Sequence, residues 1–180
     1  VQVYLALLLC SQLVILIFDP DFWVGYELDD GVERVSIEVP AMTDAGPGAE
    51  PIVELSLMRW APAPDTADPA HEPILLLHGR PAQGARDFRE FGPELARYGF
   101  EVYALDRPGF GRSDKWVPSY SVRANARYAL AALEALGVDR AHVVGWSQSG
   151  GVVLNMADIE PSRLDSITML GAIGIQKGEG

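Results

Sequence analysis

Five of the seven residues in Gly145-Trp146-Ser147-Gln148-Ser149-Gly150-Gly151 are glycine or serine, and they join an apolar run, Ala141 to Gly145, to a helical segment, Gly150 to Asp158. A chain that passes from strand to helix in so few residues turns sharply, with backbone crossing backbone, and only small side chains leave room for that crossing. The rest of the chain from Pro73 onward repeats the same rhythm. Ile74 to Leu77 is a continuous apolar run, as expected of a strand buried on both faces, and Val102 to Leu105 and Ile167 to Leu170 are expected to be further strands. Between them the apolar spacing predicts helices over Phe88 to Tyr98 and Ser121 to Leu136, the latter ended by Gly137. Strand and helix in alternation predict an α/β fold, a mostly parallel sheet with helices on both faces.

The part before Pro73 has a different period. Glu33 to Pro40 alternates polar and apolar residues, and Ile52 to Trp60 does the same, which predicts an opening antiparallel hairpin. The connection Ala41 to Glu50 and the proline-rich stretch Ala61 to Glu72 are expected to be loops.

Three motifs stand directly after three of the buried strands, where open α/β sheets place their sites. They are His78-Gly79-Arg80-Pro81, the stretch from Asp106 to Asp114 (DRPGFGRSD), and Gly145 to Gly151. In these motifs the chain resembles the α/β-hydrolase superfamily, over about residues 33–171. The resemblance implies a partial α/β-hydrolase fold and a serine hydrolase whose oxyanion loop is the His-Gly-x-Pro segment. The superfamily's nucleophile motif is G-x-S-x-G. Here Gly145 holds the first small position and Ser149 replaces the second glycine, so Ser149 competes with Ser147 for the apex of the turn. The length and register of Val143 to Ser147 match the superfamily's strand and favour Ser147 as the nucleophile.

By the same resemblance, the backbone N–H groups of Gln148 and Arg80 form the oxyanion hole, since Pro81 has no N–H and stiffens the loop. The Arg80 side chain faces either an anionic substrate group or solvent. His78, Gly79, Pro81, Gly145, Ser149 and Gly150 are expected to shape the loop and the turn, and Trp146 to pack near the pocket. The Asp106 to Asp114 turn is expected to be structural, and so are His71 and His142. The superfamily's chain order is nucleophile, acid, histidine. No histidine follows Ser147, so the chain is expected to be an inactive carboxyl-terminally truncated fragment whose acid and histidine lie beyond Gly180. Esters are the default substrates, and no cofactor or metal is implied. A second class of reading is a non-catalytic, membrane-tethered binding or scaffold domain that kept the turn but not the triad.

Composition adds limits. All of the net charge of −11 lies before Pro73, and no basic patch suggests nucleic acid. Residues 3–18 are apolar apart from Ser11 and Gln12 and would span about 24 Å as a helix, against about 30 Å of hydrocarbon. They are expected to be a membrane helix in contact with the lipid bilayer, within an anchor of residues 1–19. A juxtamembrane segment, 20–32, then carries Phe22, Trp23 and Tyr26 to the interface, and the hydrolase part is 33–180. A cleaved signal peptide competes with this reading, although no small-x-small site follows Phe18. The acidic flank leans toward an exoplasmic domain. Cys10, inside the apolar run, has no partner for a disulfide within the chain.

Overall fold

The computed structural model describes residue 28 and residues 31–68, 70–80 and 83–172. The expected anchor, most of the juxtamembrane segment, Cys10 and Pro81 lie outside the described residues. No described helix is long and apolar enough to cross a membrane.

The opening hairpin is present and longer than its alternation suggested. Strand β1 (Val32–Met42) pairs antiparallel with β2 (Pro47–Trp60), with Val35 opposite Leu57. The connection expected over Ala41 to Glu50 is corrected to a tight turn at residues 43–46, closed by Thr43 N–H donating to Gly46 O at 2.9 Å. Burial overrides the loop-like composition: Ala41 and Met42 enter the core, and Met42 N–H donates to the Tyr128 hydroxyl at 2.8 Å.

Four short strands complete the sheet: β3 (Ile74–Leu77), β4 (Val102–Leu105), β5 (Ala141–Trp146) and β6 (Leu164–Leu170). The spatial order is β1-β2-β4-β3-β5-β6. The hairpin joins antiparallel through β2 and β4, while β4, β3, β5 and β6 run parallel. All residues of β3 and β4 are buried, which is why they read as continuous apolar runs and not as alternation. Alternate side chains feed two cores. Leu75 and Leu77 join Leu55, Leu57, Tyr128 and Met156 on one face, and Leu76 joins Met58, Trp60 and Phe88 on the other.

The helices are α1 (Phe91–Arg97), α2 (Val122–Ala135) and α3 (Ser149–Ile159). The helix expected over Phe88 to Tyr98 begins later, after a 3-10 turn at Gly84–Phe88. Pro93 accounts for this: it has no N–H, so it fits the first turn of a helix but not its interior. Helix α2 is capped by Ser121, whose hydroxyl accepts from Ala124 N–H at 3.0 Å, and it is followed by Gly137 at φ 69°.

The central strand β3 lies between β4 and β5, so the chain leaves β3 to one side and returns on the other. Open α/β sheets place their sites at the carboxyl ends of the strands beside such a switch point.

Candidate active site

The turn from β5 into α3 is sharp, and its strain is concentrated in one residue. Ser147 has φ 51°, and it is the one non-glycine with positive φ among the described residues. A serine in the left-handed region costs on the order of 1 kcal/mol or more and persists only where surrounding structure imposes it. Neighbours impose it here. Ser147 N–H donates to Leu170 O on β6 at 3.0 Å, and Gly150 N–H donates to Ser147 O at 3.2 Å. Gly145 allows the crossing: a Cβ there would stand 2.7 Å from Val153 Cγ2 and 2.8 Å from Ser149 O.

The loop after β3 closes over this turn. A Cβ on Gly79 would stand 2.7 Å from Ser147 Cβ and 3.4 Å from Ser147 Oγ, so only glycine lets the loop pass so near the serine. Arg80 follows, with an exposed side chain, and Pro81 is outside the described residues. Gln148 stands at the start of α3, where amides have no acceptor within the helix and the helix dipole favours negative charge.

Ser149, the serine in the place of glycine, is fully buried, and its hydroxyl donates to His78 O at 2.6 Å. That bond ties the start of α3 to the loop after β3. It also removes Ser149 from any surface a substrate could reach. The pattern of small residues carried no sign of this tie.

His78 is fully buried with both ring nitrogens engaged. Nδ1 lies 3.1 Å from Gly79 O, and Nε2 accepts from Arg107 N–H at 3.1 Å. Burial, together with the nearby Arg107 charge, lowers its pKa to about 3, so the ring is neutral at ordinary pH. His71 stacks on Phe100 at 4.4 Å. His142 opens β5 opposite Ile74 and lies 2.8 Å from Ser166 Oγ, so both are at the other end of the sheet from Ser147. Asp158 pairs with Arg123 at 2.8 Å, and Asp165 pairs with His142 at 3.4 Å and with Arg140. None of the described histidines or of these carboxylates is placed to take a proton from Ser147.

Trp146 is 39% exposed and meets Phe88 edge to face at 6.5 Å. The cavity beside the turn, about 390 Å³, is lined on the other side by the loop after β4 and by Arg80 and Gln148, so Trp146 is not among its walls. The Asp106 carboxylate is fully buried and accepts from Ala85 N–H at 2.6 Å and Arg112 N–H at 2.9 Å, which holds this loop in shape.

Arg107 is the residue that the sequence reading left among structural ones. Its side chain is buried beside the turn, donating from Nη2 to Gly79 O and to Gln148 Oε1, each at 3.3 Å. Its guanidinium lies 5.3 Å from the Phe110 ring centre. Burial, and then repulsion from Arg80, lower its pKa to about 10, which leaves it cationic at neutral pH. The available signal was position: Arg107 is the second residue after β4, on the edge of the sheet where sites form. No group of His, Cys, Asp or Glu among the described residues could hold a metal ion.

Comparison with known proteins agrees with this fold. Residues 72–177 match the family model described as alpha/beta hydrolase fold. The chain is 36% identical over 108 residues to 2-hydroxy-6-oxo-6-phenylhexa-2,4-dienoate hydrolase of Comamonas testosteroni, covering 58% of this chain and 37% of that protein. The solved structure of an enzyme of the same name from Rhodococcus sp. strain RHA1 superposes with a TM-score of 0.59 at 26% identity, over 82% of this chain and 49% of that one. A haloalkane dehalogenase from Agrobacterium tumefaciens C58 shares the fold, with a TM-score of 0.60 at 21% identity over 79% of this chain and 42% of that one. The chain therefore spans less than half the length of each of these relatives.

Proposed function

The chain belongs to the α/β-hydrolase-fold family, and on that premise we propose that it is the front part of a serine hydrolase in which Ser147 is the nucleophile of acyl transfer to water. One observation carries this reading above the others. Ser147 is held at φ 51° between a strand and a helix, under a loop whose Gly79 leaves no room for a side chain. A strained, half-buried serine at the carboxyl edge of the sheet, between strand and helix, is the geometry of a nucleophile elbow.

In this reading Ser147 Oγ attacks a substrate carbonyl. The oxygen that becomes negative is held by the backbone N–H groups of Gln148 and Arg80, and the positive end of the α3 dipole adds to that stabilisation. Ser149, His78 and Gly79 keep the loop and the helix start in register. Gly145 and Gly150 let the turn close. The acyl group is then released to water, with esters as the default substrates. Serine needs a base to become nucleophilic at neutral pH. None of the described histidines is placed for it, so the base and its orienting acid are assigned to parts of the protein that this chain does not span. The apolar residues 3–18 are assigned to a single-pass contact with the lipid bilayer, with the hydrolase domain on the exoplasmic side.

The test is covalent labelling of the full-length protein with a fluorophosphonate. Labelling is expected in the wild type and in Ser149→Ala, and lost in Ser147→Ala. Labelling that survives Ser147→Ala sinks the assignment.

A further inference from the structure

A chain of net charge −11 holds, beside Ser147, a cavity of about 390 Å³ whose charged wall residues are all cationic: Arg80, Arg107 and Lys115. Arg107 is the unusual one. A buried cation is ordinarily matched by a carboxylate, because stripping it of water costs several kcal/mol. Arg107 is only 4% exposed, yet it is in no ion pair among the described residues. Its acceptors are two neutral oxygens at 3.3 Å, the long end of the hydrogen-bond range, and its buried Nε–H has no acceptor among the described residues.

Lys115 stands on the exposed rim of the cavity. Its Nζ donates to the carbonyls of Gly111 and Ser113 and, among the described residues, to no carboxylate, although Asp106 and Asp114 are near enough to favour its charge. Phe110 and Tyr120 supply aromatic wall between the cations. The cost of burying Arg107 is thus met only in part by the described residues.

We infer that this cavity is a subsite for a carboxylate carried by the substrate, with Arg107 supplying the buried counter-charge and Arg80 and Lys115 the rim. The inference rests on the reading of Ser147 as nucleophile and adds the class of substrate: a carbonyl compound bearing an anionic carboxylate. Arg107 touches Gly79 O and the side chain of Gln148, the residues that flank the two oxyanion amides. A carboxylate neutralising it therefore lies next to the reacting carbonyl. Guanidinium suits the planar carboxylate better than ammonium does, since its N–H groups form a flat fork. The whole chain repels anions at long range while this cavity attracts them at short range, so the selection is local to the site.

The full-length protein tests this with two esters of similar size, 4-nitrophenyl butyrate, which is neutral, and mono-4-nitrophenyl glutarate, which carries a carboxylate. The wild type is expected to favour the charged ester in kcat/KM by on the order of tenfold to a hundredfold, the weight of one charge-assisted contact. In Arg107→Met the ratio is expected to fall toward one, and a smaller fall is expected in Lys115→Met, which changes a residue on the rim and serves if the buried substitution fails to fold. Turnover of the neutral ester that is lost in Ser147→Ala, with no preference for the charged ester or a preference unchanged in both variants, overturns the subsite and leaves the nucleophile intact. If neither ester is turned over, titration of full-length Ser147→Ala protein with glutarate decides separately. Millimolar binding that weakens at least tenfold in the double variant Ser147→Ala, Arg107→Met supports the subsite, and no binding overturns it.

Discussion

Gly145→Ala is the sharpest test of the turn on which the site is built. The new Cβ would stand 2.7 Å from Val153 Cγ2, 2.8 Å from Ser149 O and 3.0 Å from the Ser149 carbonyl carbon, whereas ordinary contact begins at 3.4 Å. Val153 is fully buried, so its methyl cannot swing into solvent, and the other two atoms are backbone in the first turn of α3. Relief requires the helix start to retreat by roughly 0.6–0.7 Å in an interior that is packed like a crystal. Overpacking of this kind costs about 2–3 kcal/mol. With a urea slope of ~2 kcal/mol/M, the unfolding midpoint should fall by about 1–1.5 M. Ser147 rides on the same turn, and a misplacement approaching 1 Å costs on the order of 100-fold in rate. The assay is urea unfolding of the full-length protein followed by tryptophan fluorescence, run beside the rate of fluorophosphonate labelling. Gly151→Ala is the control, because its one near neighbour is the tip of Val122 at 3.2 Å and alanine is a better helix former. That variant should lose no more than about 0.5 kcal/mol. A Gly145→Ala protein with the wild-type midpoint and labelling rate would refute the steric argument for the turn.

Other consequences are equally direct. Ser147→Gly should abolish labelling yet raise stability by about 0.5–1 kcal/mol, because glycine accepts φ 51° without strain; a loss of stability would show that the turn is not strained. Ser149→Ala leaves the buried His78 carbonyl without its donor and should cost about 1–3 kcal/mol in urea unfolding while Ser147 still labels. His78 has its folded pKa, about 3, below its ordinary value of 6.5, so between those values the unfolded chain binds the extra proton. The contribution of His78 is therefore fully present above pH 6.5 and is lost as pH falls toward 3, at up to about 1.4 kcal/mol per pH unit. His78→Gln keeps an acceptor near Nε2 and should flatten that slope in unfolding measured from pH 4 to 7; an unchanged slope would assign it to other groups. Arg107→Met removes a buried cation that no carboxylate among the described residues balances and should leave thermal stability equal to or above that of the wild type. A marked drop would mean that the two neutral oxygens already satisfy Arg107.

Much of the sheet was legible because its period is a local property. Residues buried on both faces must be apolar throughout, as in Ile74 to Leu77, and a half-buried hairpin must alternate, as from Glu33 to Pro40. The limits of elements were less legible where packing or a missing N–H decided them. Ala41 and Met42 joined β1 because the core took them, and Pro93 delayed α1. The strand-turn-helix at Gly145 to Gly151 was legible because few residues tolerate such a crossing.

The sequence by itself determined that this chain folds as an α/β sheet with a serine at a sharp turn, since apolar period and small-residue spacing are written along the backbone. Only the tertiary structure decided which polar groups meet. Ser149 and the His78 carbonyl are 71 residues apart, and Arg107 and Gln148 are 41 apart. No local pattern encodes such pairs, because the order of strands across the sheet, and not distance along the chain, brings them together. The buried charge of Arg107 is of the same kind: a cation after β4 looks ordinary in the sequence until the fold covers it with only neutral acceptors among the described residues.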